Sequence, residues 1–280
     1  MSLALPELPR NAPVYAPFSF RRVYAMVLRY LYLLLGSWPR IIELIYWPSV
    51  QVILWGLISQ FLRTNSSFIA QAGGVLIAGV LLWDVLFRAQ LGVAVSFLEE
   101  VWARNLGQLF VTPLRPYELM TSLAAMSLIR TLIGTIPASL LAIPLYSYSI
   151  FDMGLPLIAF FVNLMVFGWA IGLAVSGCIL RYGLGAENLA WLAIFALAPL
   201  SGVYYPISIL PHWLQPVAWA LPSSYVFEGM RAVLFQHVFR TDLLWHAAAL
   251  NALYLAIGAA VFLLFFGIVR RRGLLLQMGE

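Results

Sequence analysis

Lysine is missing from this 280-residue chain: all sixteen basic residues are arginine. A P-loop uses a lysine to reach the β- and γ-phosphates of a nucleotide, so the sequence holds no ordinary P-loop ATPase site. Charge of either sign is scarce. Only 10% of residues are charged against 63% hydrophobic, and mean hydropathy is +0.92. That composition cannot clothe a soluble domain of this size in a polar shell. Cysteine is nearly absent too. The one thiol, Cys178, lies in an apolar run, which excludes an intrachain disulfide and a zinc-type cluster. The three histidines, His212, His237 and His246, have no metal-ligand spacing, and no Gly-x-Ser-x-Gly elbow or convincing pair of catalytic carboxylates occurs.

What is present is a series of long apolar runs, each near or above the roughly 20 residues that a helix needs to span a bilayer. The expected fold class is an all-α integral membrane protein with six transmembrane helices, over 41–62, 68–98, 119–145, 156–180, 188–205 and 243–269. They fill one transmembrane domain over 1–280 with no room for a soluble one. Residues 1–17 carry Pro6, Pro9, Pro13 and Pro17 and read as an irregular tail, without the apolar core of a secretory signal. Residues 18–38 mix Arg21, Arg22 and Arg29 with aromatic and aliphatic residues. That mixture suits a helix lying in the membrane interface; the other reading makes it the start of the first span.

The net charge of +5 comes from arginines that flank apolar runs, so it reads as membrane anchoring, not as nucleic-acid binding. With both termini in the cytoplasm, twelve arginines fall inside and three outside (Arg63, Arg231 and Arg240), while Arg130 sits within a span. The flipped topology reverses that ratio, so the positive-inside rule places both termini in the cytoplasm of a multi-pass inner-membrane protein.

Two polar or broken stretches interrupt the spans. The first, 99–117, is cytoplasmic. Glu99 and Glu100 precede Arg104 at a spacing that favours a short helix, Asn105 follows, and Gly107 could cap it or lie inside it. It reads either as a docking knob for a partner protein or as an ordinary charged loop. The second, 206–240, is apolar yet broken by Pro206, Pro211, Pro216 and Pro222, and reads as a pair of short re-entrant helices on the outer side. Glu228 and Arg231, three apart, can pair on one face. Inside the membrane, Asp84 and Arg88 share a face of the second span and Arg130 sits in the third. They form either a polar patch on a substrate path or a structural ion pair with a snorkelling arginine. Gly168 and Gly172 allow close helix approach in the fourth span.

Arg104, Gly107, Pro113, Leu114 and Arg115, then Ser201, Gly202, Pro206 and Pro211, then Leu221, Pro222, Glu228 and Arg231, together resemble the pattern of ABC-2 type transporter permeases. The branch that they resemble contains the nodulation-factor and daunorubicin exporter permeases. The resemblance implies a half-transporter that works with a second permease copy and with ATPase subunits. It binds no cofactor itself; ATP and Mg sit on the partner. Glu99, Glu100, Arg104, Asn105 and Gly107 would then belong to a coupling helix entering the ATPase. Ser201, Gly202, Tyr205, Pro206, Pro211, Pro222, Glu228 and Arg231 would form an outer gate. The implied cargo is amphipathic: a lipo-oligosaccharide, a lipid-linked glycan or a hydrophobic drug. Two other readings of the sequence are an intramembrane glycosyl or acyl transferase and a membrane component of cofactor maturation.

Overall fold

The computed structural model describes residues 18–65 and 73–272, and among them there is no strand. The expected tail over 1–17 and the start of the second run lie outside the described residues. Ten α-helices follow one another: α1 (Phe20–Leu35), α2 (Trp38–Asn65), α3 (Gly73–Trp102), α4 (Leu106–Val111), α5 (Pro116–Tyr146), α6 (Leu155–Tyr182), α7 (Leu189–Leu197), α8 (Gln215–Trp219), α9 (Pro222–Arg231) and α10 (Thr241–Arg271). Five of them, α2, α3, α5, α6 and α10, are long and apolar enough to cross a membrane.

The helix ends follow from local chemistry. Pro116 opens α5 at a position whose N–H has no helical partner, and Glu118 folds back to accept the Arg115 N–H at 3.0 Å. Pro156 stands likewise at the start of α6. α3 closes with Arg104 in the left-handed region (φ 53°), where its N–H donates to Val101 O and that of Asn105 to Glu100 O, each at 3.0 Å. This is the paired hydrogen-bond closure usually built on glycine.

α1 is a helix of its own, ending at Gly36. Val23, Met26, Tyr30 and Leu34 form a buried stripe at helical spacing, while Phe20, Tyr24, Tyr32 and Leu35 stay exposed. Its sixteen residues rise about 24 Å at ~1.5 Å each, short of the ~30 Å apolar core.

The contacts fix the relative directions of the long helices. Tyr146 covers Gly56 and the Leu44 carbonyl faces Gly134, so α2 and α5 run parallel. Gly92 lies against Ser127 and Gly134 against Arg88, so α3 runs antiparallel to α5. Gly168 packs on Ala89 and Gly172 on Val93, so α6 runs parallel to α3. A Cβ on Gly172 would come within 2.7 Å of the Val93 Cβ, and one on Gly258 would collide with the Ala170 carbonyl. Asn251 donates to Asn163 at 2.9 Å, Gly258 meets Ala170, and Gly177 meets Phe262, so α10 runs parallel to α6. The glycines thus bring α3, α6 and α10 into backbone contact, where dispersion between closely approaching helices does the holding in lipid.

The expected span over 188–205 is not one long helix. α7 has nine residues, about 14 Å of rise at ~1.5 Å each, and turns follow it through Pro199 to Gly202, a glycine at φ 64°. The segment nevertheless tracks α3 along its length. Trp102 donates to Glu187 at 3.4 Å, Gln90 donates to the Ala190 carbonyl at 3.1 Å, Phe87 meets Phe195, and Val203 O lies over Gly79. From Trp102 to Gly79, α3 rises about 35 Å at ~1.5 Å per residue.

Candidate functional site

Polar chemistry concentrates at the two ends of the bundle. At one end, the turn between α3 and α5 carries α4. Leu106 and Leu109 are buried under it, while Trp102, Ala103, Arg104, Gln108, Val111, Thr112 and Pro113 are exposed. The sequence places a short helix over 99–107, but the structure places it at Leu106–Val111. Glu99 and Glu100 belong to the last turn of α3, and Gly107 lies inside α4, capping nothing. The displacement has a clear cause: the chain reverses at Arg104, a residue whose type gives no sign of a left-handed conformation.

Glu99 and Glu100 do not reach the exposed face. Glu100, 1% exposed, accepts a two-pronged bond from Arg29 at 2.6 and 3.0 Å and a third from Asn105 at 3.0 Å. Glu118, at the far side of the same turn, is fully buried and accepts from Arg22 Nε at 2.8 Å, Arg22 Nη2 at 2.6 Å and the Ser19 N–H at 2.9 Å. The Glu118 carboxylate, through these bonds, raises the Arg22 guanidinium above its ordinary pKa against a smaller opposing desolvation. Charged forks of this kind are the strong class of hydrogen bond. α1 therefore grips both flanks of the turn, one at the end of α3 and one at the start of α5. Sequence reading placed Glu99 and Glu100 in this region but missed Arg22, Arg29 and Glu118. Their partners lie far away in the chain, and no local spacing signals them.

The intramembrane charges resolve into pairs. Asp84 accepts from Arg88 at 2.6 Å one turn away, both buried. Arg130 reaches Glu99 at 3.1 Å, not Asp84, and Arg40 joins Glu99 at 3.4 Å. Arg130 thus extends from mid-helix toward the charged end, as a snorkelling arginine does.

At the opposite end, a proline-broken segment folds around two charges. Glu228 accepts from the Ile207 N–H at 2.9 Å and from Arg231 at 3.0 Å, and Arg231 donates to the Gly202 carbonyl at 2.7 Å. The Ser201 and Ser223 hydroxyls share a hydrogen bond at 2.8 Å, and Tyr205 donates to the Pro199 carbonyl at 2.6 Å. Pro206 and Pro211 flank a short 3-10 turn at Ile207–Ile209, and Pro222 opens α9. Gly202 is needed here: a Cβ would stand 3.3 Å from Arg231 and 3.1 Å from Ile207 on an already left-handed backbone. The residues chosen from sequence for this end, Ser201, Gly202, Tyr205, Pro206, Glu228 and Arg231, come together. Pro211 and Pro222 lie at the borders of the knot.

A multi-pass helical membrane protein with one exposed, clamped turn and one proline-broken end is the class that this geometry defines. The chain matches the ABC-2 type transporter membrane family over residues 22–235 and belongs to it. No curated protein matches it. Residues 22–235 are therefore a permease, a transport unit without an ATPase domain, and the family implies a partner ATPase subunit that binds the ATP. Among the described residues no group of three metal-binding side chains occurs. Family membership assigns transport and leaves the transferase and cofactor-maturation readings without support.

Proposed function

We propose that the chain is the permease half of an ATP-driven exporter, docked on its ATPase through the α3–α5 turn and gated at the opposite end by the 199–231 segment. The observation that carries this reading is the pair of arginine–carboxylate forks. They bind α1 to both flanks of an exposed turn through charged contacts that can open, so a force on that turn is met first at the joint between α1 and the α3–α5 pair. In this reading Glu99, Glu100 and Asn105 act as internal struts of the coupling element. Its contact face is Trp102, Arg104, Gln108 and Val111, and Gly107 lies within α4.

Six crossings fit the packing better than five. α6 and α10 run parallel, so the chain between them must return across the bilayer, and the 187–203 segment lies along about 35 Å of α3. α7 followed by turns and by α8 and α9 then serves as a broken fifth crossing with a re-entrant pair, irregular backbone covered by α3, α6 and α10. Six crossings would put both ends of the bundle on one side, and the arginine bias of the sequence supports the cytoplasm as that side.

A second permease copy completes the path. Glu43 and Gln51 stand exposed on one face of α2 at a spacing of two helical turns, with the exposed Trp47 between them. Such groups are costly against lipid and suit a facing protein or a water-filled path. The cargo that fits is amphipathic, of the kind moved by the nodulation-factor and daunorubicin branch: a lipo-oligosaccharide, a lipid-linked glycan or a hydrophobic drug.

The test is co-expression with a candidate ABC ATPase, with the complex recovered from membranes. Arg104→Glu and Val111→Asp, on the exposed turn, are expected to weaken the complex tenfold or more while the permease folds normally. Unchanged recovery and unchanged ATP turnover in both variants would remove the turn from the docking role.

A further inference from the structure

One row of side chains runs up the outward face of α2. Glu43, Trp47, Gln51 and Trp55 follow one another at four-residue steps. Each step is one turn plus about 40°, so from Glu43 to Trp55 the row climbs about 18 Å while winding slowly around the helix. The winding accounts for the burial: Glu43, Trp47 and Gln51 are exposed, and Trp55 is half-buried. Trp55 then stacks on Tyr204, with ring centroids 4.5 Å apart and planes 13° from parallel. Tyr204 adjoins the knot of Glu228 and Arg231, so the row leads from the lower part of α2 to the proline-broken end.

At the foot of the row a carboxylate stands beneath two rings. Tyr46 and Trp47 lie three and four residues above Glu43, the spacing that makes side chains neighbours on a helix. Both are 55% exposed, and their rings cross at 72° with centroids 5.5 Å apart. Among the described residues Glu43 has no hydrogen-bond or ion-pair partner. Arg40, one turn below, is turned to Glu99 at 3.4 Å. Arg88, which meets Gly134 beside the Leu44 carbonyl, is held by Asp84 at 2.6 Å. The ends of the described chain are far off. Phe18 stacks on Tyr117, about 26 Å along α5 from Gly134, and Asn65 is about 33 Å up α2 from Glu43. Tyrosine and tryptophan alone would read as an interfacial belt. A carboxylate and an amide in the same row do not, since each is costly against lipid.

We infer that Glu43, Tyr46 and Trp47 take the ammonium group of an amphiphilic cargo, and that the row above them leads its head toward Tyr204. The carboxylate supplies the opposite charge and accepts the N–H bonds of a primary ammonium. The ring faces attract the same cation. Gln51, one turn above Trp47, offers both a donor and an acceptor to the polar head as it moves on. This inference rests on the exporter reading, in which this face of α2 lines the path, and it narrows the cargo. A carboxylate at the entrance draws in an amine-bearing amphiphile and repels one whose head is a phosphate. A second copy meeting this face about a two-fold axis would set Glu43 toward Glu43, like charge against like. An ordinary membrane lipid gives the row no reason to continue to Tyr204.

The experiment uses the full chain in phosphatidylcholine nanodiscs without nucleotide or ATPase. Three probes share one alkyl chain and one diazirine beside the head: hexadecylammonium, hexadecanol and hexadecyl phosphate. After photolysis, peptide mass spectrometry reads the label on α2. The variants are Glu43→Gln, which removes the charge at nearly constant shape, and Trp47→Leu; a thermal melt confirms that each folds. The expected result in the parent is labelling by the ammonium probe about tenfold above the phosphate and several-fold above the alcohol. Glu43→Gln should bring the ammonium probe down to the level of the alcohol, and Trp47→Leu should lower it several-fold. Equal labelling by all three probes in the parent refutes the site and leaves this face to a second copy. An undiminished ammonium preference in well-folded Glu43→Gln refutes it as well. A further arm dopes the disc with phosphatidylethanolamine in excess of the probe; abolition of labelling there assigns the site to a membrane lipid and overturns the cargo claim. If the preference is seen but no ATPase ever couples to the chain, the exporter reading fails and the ammonium site stands. If the ATPase couples and the preference is absent, the site fails alone.

Discussion

Replacing Arg29 and replacing Glu100 should have unequal costs, although each breaks the same ion pair. The Arg29 side chain is 34% exposed and that of Glu100 only 2%. Glu100→Gln frees an arginine that can turn to water, and the oxygen of the new amide still accepts from Asn105. That change costs about 1 kcal/mol, the net worth of a charge-assisted bond partly replaced. Arg29→Gln instead strands a buried carboxylate that keeps only neutral side-chain donors, the Asn105 amide and the adjoining Tyr30 hydroxyl. Breaking a buried pair from that side costs about 3 kcal/mol. The double variant, with no charge to strand, should return to about 1 kcal/mol, giving a coupling of roughly 3 kcal/mol in the cycle. Hydrogen exchange in nanodiscs reads the local part of this, because opening of α1 and α4 should track the cost. Thermal unfolding reads the whole. Equal losses in the two single variants, or a larger loss in Glu100→Gln, would refute the claim that α1 clamps the turn by covering a buried carboxylate.

Arg104→Gly should melt above Arg104→Ala, since both lose the contacts of the arginine side chain and only glycine escapes a left-handed penalty of about 1 kcal/mol; the pair separates the backbone role of this position from its charge. Gly168→Leu should abolish folding or stable insertion, measured by monodisperse yield, because even a Cβ there collides with Ala89 and stands 2.9 Å from the Gln90 backbone. Arg231→Gln should cost about 2–3 kcal/mol by leaving Glu228 half-satisfied. Exchange should then quicken at 201–207 and transport should fall, while complex formation with the ATPase is unchanged.

How legible was this in the sequence? The long helices were, within a few residues at each end, because a bilayer demands unbroken apolar length and the sequence supplies it. The proline-broken end was legible too: Pro206, Pro211 and Pro222 forbid a long helix, and Glu228 and Arg231 sit one turn apart on α9. Two things were hidden. The short helix lies at Leu106–Val111 because Arg104, not Gly107, takes the left-handed residue, and arginine carries no propensity signal for that conformation. The forks from Arg22 and Arg29 join residues 96 and 71 positions apart, beyond any local pattern. The depth of α7 was hidden for a related reason. Hydropathy sees an apolar run over 188–205 but cannot see that Pro199 and the turn at Gly202 divide it.

The two kinds of contact that hold the bundle differ in how they yield. Along α3, α6 and α10, glycines place backbone against backbone, and no water can replace those contacts in the apolar interior. Separating them exposes tight surfaces to nothing of equal fit, so this trio moves as one body. At the α3–α5 turn the glue is ionic. The two arginines are 23% and 34% exposed, so water stands ready to take up their charge when a fork opens. An opening there costs a few kcal/mol, of the order of the 1–3 kcal/mol typical of coupling between distant sites. A partner that pulls on the exposed turn therefore meets a yielding joint in front of a rigid body. Motion should appear first as α1 sliding against α3 and α5, and the α3–α6–α10 contacts should persist through the cycle. Spin-label distances between α1 and α5 that change with nucleotide, while those between α6 and α10 hold still, are the expected signature. The reverse pattern would place the joint in the helix trio and deny the forks any part in transmission.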